Sequence, residues 1–558
     1  MKTLSIALCI LFVMKDCHST STDDLGQHVV VRQSLAPDNQ VVIAFDSLLS
    51  KETISSLRSF VLNHVRWEVR GHESEHCPSD IQRGEGATDC QDSAASNIPW
   101  IGKMDPLWFS QTHTWKRLVK AVSYATNGSG PALYPYHIRS EVLQRGDNIA
   151  PQAVTSSPYS REYAFRIFLV PEWRMDDYGD MSFYVPSLQN RTKGSKYDIA
   201  LTVRPHPGRV VLWDASIPTL YRPPSMGYLD KLPSVSVLLT SSKEKFEAAT
   251  QDWKQDWYDQ KTLLVQQSFP QLTDPIGQLD LENHLTRQFT DSNDRKVNIY
   301  DDVFEEGHLE ALRSYLVSYP ASTNHGYDLE PYELSDNIVW IKTFDAFEFP
   351  KSSAWEVFSQ VATHATGGQR TWYPYDVALN VVRSGDHARV HEDCETWEDE
   401  YTMVLYINPD LAPGDYGETI FYNTKPHDAF SRKLYEGISR HDHDAFAAVN
   451  PKYGRLVIFN GLIPHSARPP STGYTKPRYS FAVKVAIDRK TAIMKKLREV
   501  IEDHNTPDED LLEEIQEATF NRAELGRSEE WLERKYRGLQ HLVKEDKART
   551  LQRIREAL

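Results

Sequence analysis

Apolar residues in the second half of the chain fall into two rhythms. In "EEGHLEALRSYLVSY" (305–319) and "SAWEVFSQVATHAT" (353–366) they recur every three or four positions, the spacing that gathers them on one face of an α-helix. In "DVALNVVRSG" (376–385), "YTMVLYIN" (401–408), "GRLVIFNG" (454–461) and "RYSFAVKVAI" (478–487) the pattern shortens to alternation or to a continuous apolar run. Turn residues lie between these runs, which predicts short strands. Helices followed by many short strands predict an α+β class, a sandwich or jelly roll buttressed by helices.

The same pattern occurs once before. "LYPYHIRSEVLQRGD" (133–147) matches "WYPYDVALNVVRSGD" (372–386), and "EYAFRIFLV" (162–170) matches "EYTMVLYIN" (400–408). "DYGDMSFY" (177–184) matches "DYGETIFY" (415–422), and "GRVVLWDASIPTLYRPPSMGY" (208–228) matches "GRLVIFNGLIPHSARPPSTGY" (454–474). Upstream, "NIPWIGKMD" (97–105) matches "NIVWIKTFD" (337–345). Order and spacing hold throughout, so the chain reads as two tandem copies, 38–245 and 296–488. The stretch 246–295 is a linker with room for a short helix. Residues 489–558 form a helical tail: Thr506, Pro507 and Glu509 mark a helix start, and Trp531, Leu532, Tyr536 and Leu539 form one stripe that suits packing on the second copy or a partner.

With 558 residues and 40% apolar content, buried cores are affordable to such a chain, and the net charge of -16 argues against nucleic acid as a partner. One lysine and an apolar run from Leu4 to Met14 read as a secretory signal peptide over residues 1–19. No later run is long and apolar enough for a membrane span. In that oxidising compartment Cys77 and Cys90, which bracket a polar loop, are expected to form a disulfide, and Asn127 and Asn190 sit in glycosylation sequons. The endoplasmic reticulum lumen and the outside of the cell are both compatible, since the ending "REAL" is no clear retention signal.

The two copies agree in their scaffolding and differ in their chemistry. His391 is matched by Gln152, Asp393 by Val154, His465 by Thr219, Arg478 by Leu232 and Tyr406 by Phe168. Residues i and i+2 on a strand share a face, so His391 and Asp393 are expected to aim together into the barrel, with Glu392 turned away. His465, after the strand "RLVIFNG", supplies a third ligand. Two imidazoles and a carboxylate on one side of an iron leave positions for substrate and oxygen. Arg478 inside a barrel needs a carboxylate partner, which its planar fork grips through two hydrogen bonds.

His-x-Asp, a distant His, and then Arg478-Tyr479-Ser480 on the last strand resemble the iron(II)/2-oxoglutarate dioxygenases, in particular the prolyl 4-hydroxylase-like branch, over roughly 370–487. "LYIN" followed by "GETIF" is similar to that branch too. The resemblance implies a double-stranded β-helix (jelly-roll) core in each copy, the first degenerate. It implies Fe(II) on His391, Asp393 and His465, and 2-oxoglutarate held by Arg478, Ser480 and Tyr406. O2 and 2-oxoglutarate would be consumed to hydroxylate a C–H bond, with ascorbate rescuing oxidised iron. The gap from His465 to Arg478 is longer than is usual in the branch, and collagen prolyl 4-hydroxylases carry a lysine in place of Arg478. Asp393 argues against a halogenase, which lacks that carboxylate.

The expected substrate is a prolyl or lysyl side chain of a secreted polypeptide. Oxidation of a small molecule or glycan, or a non-catalytic scaffold, are the rival classes. Cys394 is read as a bystander thiol, "HDHD" (441–444) as a solvated loop, and His387 as a neutral pocket residue. Features common to both copies, such as the "RPPS" turns at 222–225 and 468–471, are read as scaffold, and Trp340, Trp372 and Tyr373 as core packing.

Overall fold

The computed structural model describes residues 22–35, 39–65, 67–69, 100–128, 132–145, 147, 162–186, 197–225, 231–265, 269–270, 276–318, 322–323, 340–368, 370–386, 390–394, 400–424, 443–474, 476–502, 528–538, 541, 549, 552 and 558. The expected Cys77–Cys90 pair, Asn190, Gln152, Val154, His387 and the helix start at Thr506 lie outside them.

Among the described residues eleven strands form in the first half: β1 (Val29–Leu35), β2 (Gln40–Phe45), β3 (Glu68–Val69), β4 (Trp100–Lys103), β5 (Tyr134–Leu143), β6 (Tyr163–Phe168), β7 (Met181–Pro186), β8 (Tyr197–Val203), β9 (Val210–Asp214), β10 (Thr219–Tyr221) and β11 (Leu232–Thr240). Eleven follow: β12 (Leu285–Thr290), β13 (Lys296–Tyr300), β14 (Ser322–Thr323), β15 (Trp340–Thr343), β16 (Tyr373–Val382), β17 (Glu400–Tyr406), β18 (Thr419–Thr424), β19 (His443–Val449), β20 (Leu456–Asn460), β21 (His465–Ala467) and β22 (Arg478–Ala486). The first set makes an eight-stranded sheet in the order β1-β2-β9-β6-β11-β5-β4-β3 and a three-stranded sheet β10-β7-β8. The second makes β12-β13-β20-β17-β22-β16-β15-β14 and β19-β18-β21, so each strand keeps the neighbours of its counterpart. All the pairings are antiparallel.

The strands form where alternation predicted them, and burial explains why. On β22 the two faces serve two interiors: Phe481, Val483 and Val485 pack under the helices, while Arg478, Ser480 and Lys484 face the small sheet. Helix α1 (Ser353–Thr366) covers the outer side through Ala354, Val357, Phe358, Val361 and Ala362. It starts at Ser352, whose hydroxyl accepts from the Trp355 amide, and stops at Gly367, whose φ of 67° an L side chain tolerates poorly.

Two segments differ from the expected boundaries. β12 lies within the stretch read as linker, because it pairs with β13 as the sheet edge. The same stretch holds most of a 23-residue helix, Lys243–Val265, in place of a short one. In the tail, Leu532 and Tyr536 are buried, the Tyr536 ring meets Phe347 at 5.3 Å, and Arg489 pairs with Glu529 and Glu533. Among the described residues no helix is long and apolar enough to cross a membrane.

Candidate metal centre

His391, Asp393 and His465 come together at one end of the small sheet of the second set, with one ligand atom from each lying within 4.8 Å of the others. Nε2 of His391 is 3.7 Å from Asp393 Oδ1, and Nε2 of His465 is 3.5 Å from Asp393 Oδ2. Among the described residues 390–394 no strand runs through His391, where one was expected. A single bridge, with amide-to-carbonyl bonds of 3.0 and 2.9 Å exchanged between His391 and His465, holds it instead. The Asp393 amide then bonds the Gly461 carbonyl at 2.8 Å. A loop pinned at these points carries the two side chains to the same place that a strand would.

His465 is buried between Phe421 and Phe459, with ring centroids 6.1 and 4.6 Å away. Its Nδ1 lies 3.0 Å from the Ile463 carbonyl, an acceptor, so Nδ1 carries the proton and Nε2 keeps its lone pair toward Asp393. Burial depresses the imidazole to about 4, so it is neutral at physiological pH and able to bind a metal. Burial also opposes charge on Asp393, but Lys484, the two imidazoles and the Thr402 hydroxyl outweigh it and hold the carboxyl below its usual range. Thr402 donates to Asp393 Oδ2 at 2.6 Å, and Lys484 Nζ sits 3.3 Å from Oδ1 and 3.2 Å from Asp376.

Further into the same interior stands Arg478, with 1% of its surface exposed. Its Nη2 donates to Thr419 Oγ1 at 3.0 Å and its Nη1 to Ser480 Oγ at 3.2 Å, while the Tyr406 ring lies 5.3 Å away. The Tyr406 hydroxyl also donates to Thr419, at 2.7 Å. Thr419 thus accepts twice and has its own proton left to give. Among the described residues no carboxylate forms an ion pair with Arg478, and its Nε has no hydrogen-bond partner. Glu418 acts on it only as a more distant charge.

The first set fills the equivalent interior with itself. Thr219 pairs with Phe183 as His465 pairs with Phe421, and Leu232 and Phe168 stand where Arg478 and Tyr406 stand. A cation is present there too, Arg166, but Glu141 neutralises it at 2.6 Å, Ser234 accepts from it at 2.9 Å and Tyr221 lies under it at 4.2 Å.

Sequence reasoning missed Thr419, Thr402 and Lys484. The contrast that exposed the others reaches them as well: their counterparts are Met181, Ala164 and Leu238. Of the remaining candidates, the stretch 441–444 departs from the expected solvated loop: His441 and Asp442 lie outside the described residues, and His443 and Asp444 open strand β19, paired with β18. Cys394 is a buried thiol outside any disulfide of the described residues, packed so closely on Gly461 that a Cβ there would lie 2.7 Å from its sulfur. Asp444 is exposed at the start of β19, and Asn127 is exposed in the turn that ends a helix.

No family model matches the chain, and no curated protein matches it. It is similar in structure to a 2OG-Fe(II) oxygenase family oxidoreductase from Burkholderia pseudomallei (12% identity, 34% of this chain and 84% of that one, TM-score 0.23). A Pseudomonas putida prolyl-4-hydroxylase (15%, 34% and 92%, 0.23) and a Trichoplax adhaerens prolyl hydroxylase in complex with a hypoxia inducible factor peptide fragment (14%, 34% and 83%, 0.24) are similar to the same extent. At such TM-scores the likenesses carry no weight of their own, and the side-chain geometry decides.

Proposed function

We propose that the chain is an iron(II)- and 2-oxoglutarate-dependent dioxygenase made of two tandem double-stranded β-helix domains, of which the second is active and the first degenerate. Arg478 carries this reading. A guanidinium buried to 1% exposure with only hydroxyl partners and an unbonded Nε is costly to keep, and an incoming carboxylate removes that cost. Arg166, in the first copy, also has an unbonded Nε, but Glu141 balances its charge, and this charge pairing is what Arg478 lacks among the described residues.

The residues present fit both absent groups. His391, Asp393 and His465 offer two imidazole nitrogens and a carboxylate oxygen, a donor set suited to Fe(II). Arg478, Ser480, Tyr406 and Thr419 offer a cation and hydroxyls to the distal carboxylate of 2-oxoglutarate. When bound, iron and 2-oxoglutarate with O2 supply the oxidising chemistry, ending in hydroxylation of a C–H bond, succinate and carbon dioxide. The chain's part is orientation and exclusion of water: the Ile463 carbonyl fixes the His465 tautomer, Thr402 fixes the Asp393 carboxylate, and Phe421 and Phe459 dry the inner wall.

The substrate class, a prolyl or lysyl side chain of a secreted polypeptide, and the use of ascorbate are further parts of the proposal. The leader-like Leu4–Met14 run and the sequons at Asn127 and Asn190 support the secretory setting. The deciding experiment is anaerobic titration of the full chain with Fe(II) and 2-oxoglutarate. One equivalent of iron and a visible charge-transfer band are expected, and Asp393→Ala should lose both. An undiminished band in that variant would remove Asp393 from the centre. Mass spectrometry of secreted proteins, with and without the enzyme, would then look for a gain of one oxygen.

A further inference from the structure

The two copies meet through equivalent surfaces, in the manner of a two-fold dimer. Trp100 on β4 and its counterpart Trp340 on β15 stack at 3.7 Å with their planes 16° apart. Trp340 Nε1 donates to Gln144 Oε1 at 3.1 Å, closing the indole's one polar group across the boundary. Beside this stack two matching turns face each other, 144–147 and 383–386. Each is capped by its own aspartate: Asp147 accepts from the Gln144 amide at 2.8 Å, and Asp386 from the Arg383 amide at 2.7 Å.

The symmetry fails in one respect. Arg383 forms an ion pair with Asp147 of the other copy, and the Asp147 side chain is fully buried. The position matching Arg383 is Gln144, which has no charge to return to Asp386. Arg145 adds a second hold from the same side, its Nε donating to the Gly385 carbonyl at 2.7 Å. The contact is so close that a Cβ on Gly385 would lie 2.2 Å from the Arg145 carbonyl oxygen. Arg145 and Asp147 of the copy without metal residues thus both grip residues 383–385 of the copy that has them.

That turn leads into the metal loop. Residues 387–390 alone separate Asp386 from His391, which is anchored on its far side to His465 and, through Asp393, to Gly461. We propose that Arg145 and Asp147 are positioning residues of the metal centre: the degenerate copy fixes Arg383 and Gly385, a few residues before His391 in the chain. This inference rests on the metal reading above. It gives the first copy a role that needs neither metal nor cosubstrate, although its own interior holds the Arg166–Glu141 ion pair.

The test uses the full chain and Co(II), whose visible absorption reports both affinity and ligand geometry. Arg145→Met and Asp147→Asn should each weaken Co(II) binding about tenfold or more, the scale for losing a residue that orients a ligand, and should alter the band shape. Arg145→Lys should recover part of the affinity. Val211→Ala, in the first copy's buried core, supplies a variant of comparable thermal destabilisation that should keep Co(II) affinity within about twofold of wild type. If Asp147→Asn does not accumulate as folded protein, Arg145→Met decides. A folded Arg145→Met with wild-type affinity and spectrum overturns the positioning role, and so does an equal loss of affinity in Val211→Ala. A wild-type chain that takes up no Co(II) overturns the metal reading itself, and this inference with it.

Discussion

Arg478→Leu separates what a residue does for binding from what it does for stability. Leucine is the residue at the matching position of the first copy, where Leu232 is fully buried, so the side chain suits this place in the fold. In the ligand-free protein Arg478 pays desolvation of a full charge, several kcal/mol, against two hydrogen bonds to neutral hydroxyls at 3.0 and 3.2 Å that return about 1.5–3 kcal/mol each. The apolar substitute removes the desolvation cost and adds buried apolar surface. The ligand-free variant should therefore be as stable as wild type or more so, by up to about 3 kcal/mol, an upward Tm shift of several degrees. Binding of 2-oxoglutarate should weaken by roughly 2–5 kcal/mol, about 30-fold to a few thousand-fold. Differential scanning calorimetry with a chelator present gives the first quantity, and anaerobic calorimetric titration of the Mn(II)-loaded protein gives the second. A Tm lowered by several degrees with 2-oxoglutarate affinity intact would show that Arg478 is a structural residue and that another cation reads the carboxylate.

Thr402→Val removes the 2.6 Å hydrogen bond to Asp393 and should weaken metal affinity about 10- to 100-fold with little change in Tm, read by competition with a chelating dye. Lys484→Met should act in the opposite sense. Without an ammonium 3.3 Å from Asp393 a metal cation meets less repulsion, so affinity should rise by about tenfold or more, while the metal-free protein loses stability because a buried carboxylate loses its cation; a weaker metal in this variant would refute the electrostatic account. Burial raises Asp386 from 3.8 to about 6, so the folded chain holds this proton more tightly than the unfolded one. Its contribution to stability is complete below about pH 4 and is lost as pH rises to about 6. Asp386→Asn, which can still accept the Arg383 amide, should flatten that fall in thermal melts between pH 4 and 7.

Much of the molecule follows from the chain alone. Period-two alternation on β16, β17, β20 and β22 and the helical spacing at 353–366 settle the elements, because each has one face that must be buried. The internal repeat supplied the site: where two copies share a scaffold, residues that differ in kind, His465 against Thr219 or Arg478 against Leu232, stand out against those that only pack. The sequence could not supply the outer partners. Thr402, Thr419 and Lys484 lie on three different strands, and the sequence does not show which faces of those strands meet Asp393 and Arg478. Nor could it show that His391 sits on a pinned loop, since a single backbone bridge leaves no alternation to read. The boundary between the copies was hidden for a related reason. Trp100 and Trp340 are identical at matching positions, which reads as a common core residue within each copy. A one-dimensional pattern records which side chains avoid water and is silent on which surface covers them, and here each indole is covered by the other.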